Sequence, residues 1–374
     1  MKATVSAVEI KKQNRSRIIK YVIENKITSR QAISKALGFS MPTVFSYVTE
    51  LIEAGMLCET GEYDSTGGRK AKMIAIRRGY RYAAGIDITE QHVRMALLDL
   101  SGDILNTGYY NYTFEDSAVY YRDIGSQLER FLDENHVERS RMSGVGVSLP
   151  GTVIPDTGVL QRSHVLNVAG VSLQRFVQSI PYPTIFGNDA KCAAHAEVIP
   201  AKGNSAYFSL RNTLGGAIYR NGILDEGNQF KSGEFGHMIL HPGGRQCYCG
   251  KQGCLNAYCS ASVLRGGRYY KIGEFFDDLA AGDPECVALW DEYMEDLAMG
   301  VTNIRMAFDC NIILGGYVGY YMEAYMDEFA QRLRKYNSFD TDTTYLGTGR
   351  LKEWASAVGV AQMMVERYID GTEL

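Results

Sequence analysis

Three cysteines fall within eight residues, in the run Cys247-Tyr248-Cys249-Gly250-Lys251-Gln252-Gly253-Cys254. Thiols this close in sequence either converge on a common partner or stand free in a loop. Convergence needs sharp reversals, and Gly250 and Gly253 turn at little steric cost. His237 lies ten residues before Cys247, and His241 is a second candidate. Three thiolates and one imidazole satisfy tetrahedral zinc, and a set with no open position is structural rather than catalytic. The alternative is a loop of free thiols. Cys259 is close enough to be a spare ligand, while Cys58, Cys192, Cys286 and Cys310 read as core residues. Eight cysteines in 374 residues are too few for a disulfide scaffold, so reduced thiols and a cytoplasmic location are expected.

Charge divides the chain. Residues 1–80 carry 14 Lys and Arg against 7 Asp and Glu, whereas the remainder carries 25 against 36. A small basic module on an acidic body suggests that the module meets a polyanion. Its pattern agrees. Asn14 is a candidate cap for a helix over 15–25, with Ile18, Ile19, Val22 and Ile23 on one stripe. Ser29 caps a second helix, with Ile33, Ala36 and Leu37 inward. Gly38-Phe39-Ser40 forms a tight turn, and Ser40 caps a third helix with Pro42 in its first turn. Val44, Val48, Leu51 and Ile52 repeat at helical spacing. A two-stranded wing over 56–58 and 72–76 completes a winged helix-turn-helix, placing the third helix in a major groove. Ser40, Met41, Thr43, Ser46 and Tyr47 are its candidate contacts to double-stranded DNA. Arg69 and Lys70 of the Gly67-Gly68-Arg69-Lys70 tip are candidates for phosphates or a minor groove. A protein-binding helical bundle is the competing reading.

The body follows a seam at 80–84. Strands are expected at 83–88, 93–98, 104–112, 143–148, 184–186, 206–210, 215–219 and 312–314, with helices over 117–134 and from 189. Residues 260–374 read as mostly helical. The fold class is therefore α/β, with two lobes. No apolar run of 18 residues suggests a membrane span, and the N-terminus lacks a signal-peptide core.

Several runs, in this order, resemble the ROK family (repressors, open reading frames, kinases): the Gly67–Lys70 wing tip, Pro150-Gly151-Thr152-Val153, the run from Gly187 to Glu197, Glu234-Phe235-Gly236-His237 and the cysteine cluster. The resemblance spans nearly the whole chain and is nearest to the sugar-responsive repressors with an N-terminal DNA-binding domain. It implies residues 1–80 as a winged helix-turn-helix. It implies residues 81–374 as an actin-like (ribonuclease-H-like) two-lobed body with a sugar cleft and a zinc loop at 237–254. It assigns structural Zn2+ to His237, Cys247, Cys249 and Cys254. It places Gly151, Asn188, Asp189, Glu234 and His237 at the sugar, Asp189 being the general base in kinase members. Homodimers, and sometimes tetramers, are implied as well. Helices near 291–307 and 353–368 are candidate interfaces, with packing inside the second lobe as the alternative.

Two departures bear on function. Kinase members carry D-x-G-G-T, whose glycines admit nucleotide phosphates; this chain has Asp87-Ile88-Thr89-Glu90-Gln91, with a carboxylate added. The second phosphate loop is altered to Arg211-Asn212-Thr213-Leu214-Gly215-Gly216. The family's further sugar carboxylate is replaced by Asn256, which still donates and accepts. The expected function is a DNA-binding repressor controlled by a sugar or sugar derivative, not an enzyme. The alternatives are an ATP-dependent sugar kinase and a repressor answering to a protein partner.

Overall fold

The computed structural model describes residues 7–62, 71–198, 203–337, 339–340 and 342–372. Helices α1 (Ala7–Asn25), α2 (Arg30–Leu37) and α3 (Met41–Glu53) lead into an antiparallel ribbon of β1 (Leu57–Glu62) and β2 (Lys72–Ile76). Local chemistry sets these limits. The Ser29 hydroxyl accepts from Ala32 N, Gly38 ends α2 at φ +70°, and the Ser40 hydroxyl accepts from Thr43 N. Ile18, Ile19, Val22, Ile33, Val44, Val48 and Leu51 are fully buried between the helices. The first helix starts eight residues earlier than the expected 15, so Asn14 lies inside it rather than capping it. The extra turns hold strong helix formers and no glycine or proline, and Lys11 and Arg15 pair with Glu50 of α3.

The body holds two five-stranded sheets. The first is ordered β10-β6-β3-β4-β5, from β3 (Tyr82–Ile88), β4 (His92–Asp99), β5 (Ile104–Asn111), β6 (Met142–Leu149) and β10 (Thr184–Asn188), with α4 (Ala118–Glu134) alongside. The second is ordered β13-β12-β11-β14-β15, from β11 (Ser205–Leu210), β12 (Leu214–Arg220), β13 (Ile223–Leu224), β14 (Asn311–Gly315) and β15 (Leu346–Thr348). In each, a three-strand antiparallel meander continues into two parallel strands, so the lobes repeat one connectivity. A third, three-stranded sheet was not expected: β7 (Thr152–Ile154), β8 (Val159–Ser163) and β9 (Val168–Ser172), followed by the short helix α5 (Gln174–Ser179). Its strands are too short to show a period.

Helix α6 (Asp189–Val198) crosses between the lobes. The short helices α7 (Asn256–Cys259), α8 (Ala261–Arg265) and α9 (Ile272–Ala280) lead to α10 (Pro284–Phe308), with α11 (Gly316–Tyr321) and α12 (Met326–Tyr336) packed in the second lobe. The last helix, α13 (Ala355–Gly371), is an internal member rather than an outer interface. It lies against β3, β4, β6 and α6, and every residue from Ala355 to Ala361 is buried. At Gly359 it comes so close to α6 that a Cβ would stand 1.7 Å from the Cys192 carbonyl oxygen. Its far end joins the N-terminal module: Met364, Val365 and Ile369 share the apolar core that holds Ile18, Val22 and Leu51. No helix among the described residues is long and apolar enough to cross a membrane.

Candidate functional site

The end of β10 opens the cleft. The Asn188 side chain donates to the Gly151 carbonyl at 2.9 Å and accepts from Lys191 N at 3.0 Å, so one amide pins the Pro-Gly turn and starts α6. Gly151 sits at φ +117°, and a Cβ there would lie 2.3 Å from the Arg162 carbonyl oxygen, so only glycine fits against β8. Asp189 follows at the mouth of α6. Burial raises its pKa to about 6; Arg211 opposes the shift, while the charges of Asp87 and Glu234 add to it. Glu234 reaches the solvent of the cleft, and the protein around it raises its carboxyl pKa against the opposing charge of Lys191.

Beneath Asp189 lies a buried ionic network that links the lobes. Asp87, fully buried on β3, accepts from Ser148 Oγ at 3.0 Å and from Arg211 Nη2 at 2.8 Å. Arg211 comes from the loop after β11, and its Nη1 reaches Ser356 Oγ at 2.8 Å and Asp189 at 3.3 Å. The Ser356 hydroxyl in turn donates to the Asp189 carbonyl at 3.0 Å. Arg94 adds a second guanidinium, 3.6 Å from Asp87, and donates to the Tyr317 hydroxyl at 3.0 Å. Sequence reasoning identified Asp87 and Arg211 only as altered phosphate motifs. Their pairing across 124 residues leaves no local signal.

The cysteine cluster closes as expected. The ligand atoms of His237, Cys247, Cys249 and Cys254 all lie within 4.8 Å of one another. Nδ1 of His237 is buried with no hydrogen-bond partner, an orphan that a cation would satisfy. Burial and the neighbouring thiols push Cys254 up to about 12, so this thiol resists ionisation that a divalent cation would favour. The arrangement therefore fits Zn2+. His241 is excluded from the set, because its Nε2 is taken by Asp296 at 2.6 Å. Cys259 is fully buried and lies outside the cluster. The other ring nitrogen of His237, Nε2, lies 3.3 Å from the Tyr248 hydroxyl. The rings of Tyr248 and of His164, from the opposite lobe, are 6.0 Å apart; neither residue was expected in the cleft. Asn256 is 6% exposed, and its amide oxygen accepts from Leu214 N at 2.7 Å, which leaves only its NH2 group for a ligand.

The N-terminal candidates separate into two groups. Met41 and Ser46 are exposed on α3. Ser40 and Thr43 bond each other at 2.7 Å as part of the helix cap, and Tyr47 packs partly buried against the module's core. Phe45, absent from the expected set, is 59% exposed on the same face as Met41. Arg69 and Lys70 lie outside the described residues.

These features define a two-lobed α/β body joined to a helix-turn-helix, and the chain belongs to the ROK family, whose model matches residues 83–367. It is 24% identical to the xylose repressor of Bacillus spizizenii over 378 residues, covering 96% of this chain and 97% of that one. It is 31% identical to a glucokinase of Halalkalibacterium halodurans, over 49% of this chain and 58% of the enzyme. Among solved structures it resembles a ROK family transcriptional regulator described as a homologue of the Escherichia coli MLC protein. That likeness has a TM-score of 0.78 and 21% identity, with 97% of each chain covered.

Proposed function

We propose that this chain is a transcriptional repressor whose N-terminal module, residues 1–80, binds duplex DNA and whose body, residues 81–374, binds a sugar or sugar derivative. The full-length similarity to a repressor supports this, but one observation carries it: a single helix touches both candidate sites. At one end of α13, Ser356 holds Asp189 and Arg211. At the other end, Asp370 accepts from Ser16 at 2.5 Å and from Lys20 at 2.9 Å, both on α1. A displacement of Asp189 by a sugar is thereby delivered to the DNA-binding module.

In this reading Asn188, Asp189, Glu234 and His237 bind sugar hydroxyls, with Gly151 shaping the wall and Asn256 contributing its amide donors. Zn2+ held by His237, Cys247, Cys249 and Cys254 fixes the loop that carries Glu234 and His237. Asp87, engaged by two guanidinium groups, is not available to nucleotide chemistry, which supports a binding rather than a catalytic role. The chain acts as a homodimer or a tetramer, with much of α10, like α13, packed inside the body.

The test is electrophoretic retardation of the chain's own upstream DNA with a panel of sugars, alongside ATP consumption with the same sugars. Retardation relieved or strengthened by one sugar supports the reading. ATP turnover lost in Asp189→Asn would replace it with a kinase. Retardation indifferent to every sugar would favour a protein partner.

Two predictions follow from the geometry. Removing Asp370 (Asp370→Ala) should leave sugar affinity within about twofold, since an exposed ion pair contributes little to stability. The sugar's effect on DNA affinity should fall severalfold, and the effect of DNA on sugar affinity by the same factor. Calorimetry and retardation measure the two sides; unchanged coupling would remove α13 as the link. The second concerns pH. A carboxylate accepts from sugar hydroxyls better than a carboxylic acid does, so sugar affinity should rise as pH passes through about 6. The folded state keeps a proton that the unfolded chain has released, so Asp189's contribution to stability declines between about pH 4 and 6. In Asp189→Asn, sugar binding should be weaker and its rise across this window smaller, Glu234 still titrating.

A further inference from the structure

On α3 the buried side is Val44, Val48 and Leu51, and the opposite side carries Met41, Phe45 and Ser46. Met41 and Phe45 are one turn apart and 43% and 59% exposed. A phenylalanine this bare contributes little to the module's own core. The Arg30 guanidinium lies 5.2 Å from the centre of its ring, so the side chain is braced on one face while the rest projects outward. Arg30 is itself held by Glu59 of β1 at 3.2 Å. Of the hydroxyl groups expected to read bases, Ser40 and Thr43 are engaged with each other, and Ser46 is exposed. The largest exposed apolar group on α3 is thus Phe45, with Met41 beside it.

Resting on the DNA-binding reading above, we propose that Phe45, with Met41 beside it, determines sequence specificity by packing on thymine C5-methyl groups in the major groove. The occupant is duplex DNA because the module carries 14 basic against 7 acidic residues and presents this helix after a three-residue turn. Thymine is the base whose major-groove edge is partly apolar, so an aromatic ring reads it without hydrogen bonds. Each methyl group covered is worth about fourfold in affinity.

The experiment selects binding sites from a random duplex library with the full-length chain. Selected duplexes are then remade with deoxyuridine in place of each thymine, which removes only the methyl group. The expected result is a loss of about fourfold at one or two positions in each half-site. Phe45→Ala should bind the thymine duplex about tenfold more weakly and show no penalty for deoxyuridine at those positions. Phe45→Leu should keep part of the penalty. Because the side chain is exposed, thermal melting of Phe45→Ala should match the parent, which separates lost contact from lost fold. Deoxyuridine tolerated at every position, or Phe45→Ala retaining the thymine preference, would overturn the proposal while leaving DNA binding intact. Enrichment of no duplex would overturn the DNA-binding reading and this proposal with it.

Discussion

Replacing Arg211 by alanine should destabilise the chain by about 3–5 kcal/mol, more than any surface substitution considered above. Asp87 is fully buried and has its shortest ionic contact, 2.8 Å, with this guanidinium. Arg94, at 3.6 Å, makes no hydrogen bond to Asp87 and replaces Arg211 only in part. The variant therefore leaves a buried carboxylate poorly matched, and it also frees one side of Asp189. Denaturant titration measures the loss. The double variant Arg211→Ala with Asp87→Asn should recover a substantial part of it, because the stranded charge is gone. A single variant within about 0.5 kcal/mol of the parent, or a double variant no better than the single, would show that the network does not hold the lobes.

Chelation should give the second large effect. The purified chain should contain zinc in equal proportion, and chelation should lower its melting temperature by roughly 6–12 °C, the shift that about 3 kcal/mol produces in a domain of this size. Sugar binding should weaken with it, since the loop that the metal closes carries Glu234 and His237. Cys247→Ser should behave like the chelated parent. Cys58→Ser, at a half-buried position on β1 away from the cluster, should keep its zinc. A chain that melts and binds sugar normally without any metal would show that the four ligands serve another purpose.

What could be read before the structure was known follows the range of the interactions. The caps at Ser29 and Ser40 and the turn at Gly38 act within four residues, and the sequence patterns there match the structure. The start of α1 was misplaced because Asn14 resembles a cap, whereas the earlier turns are held by Glu50 on another helix. The cysteine cluster was legible because its chemistry lies in one loop. The choice between His237 and His241 was not, since it depends on Asp296, 55 residues further on. The repeated connectivity of the two sheets has no sequence period, because only strand pairing over long separations creates it. The ionic network beneath the cleft was hidden for the same reason. Phe45 has no distinguishing sequence signal, because an aromatic residue in such a helix fits a core position equally well, and only the packing of its neighbours shows that it points outward.

The seating of the N-terminal module on α13 has a consequence for the order of synthesis. Helices α1, α2 and α3 acquire their full apolar core only when Met364, Val365 and Ile369 have emerged. Until then a nascent chain leaves that face of the module uncovered, with α1 lacking the Asp370 partner of Ser16 and Lys20. A chain truncated before α13 therefore keeps the module's three helices but loses the apolar surface on which they are seated.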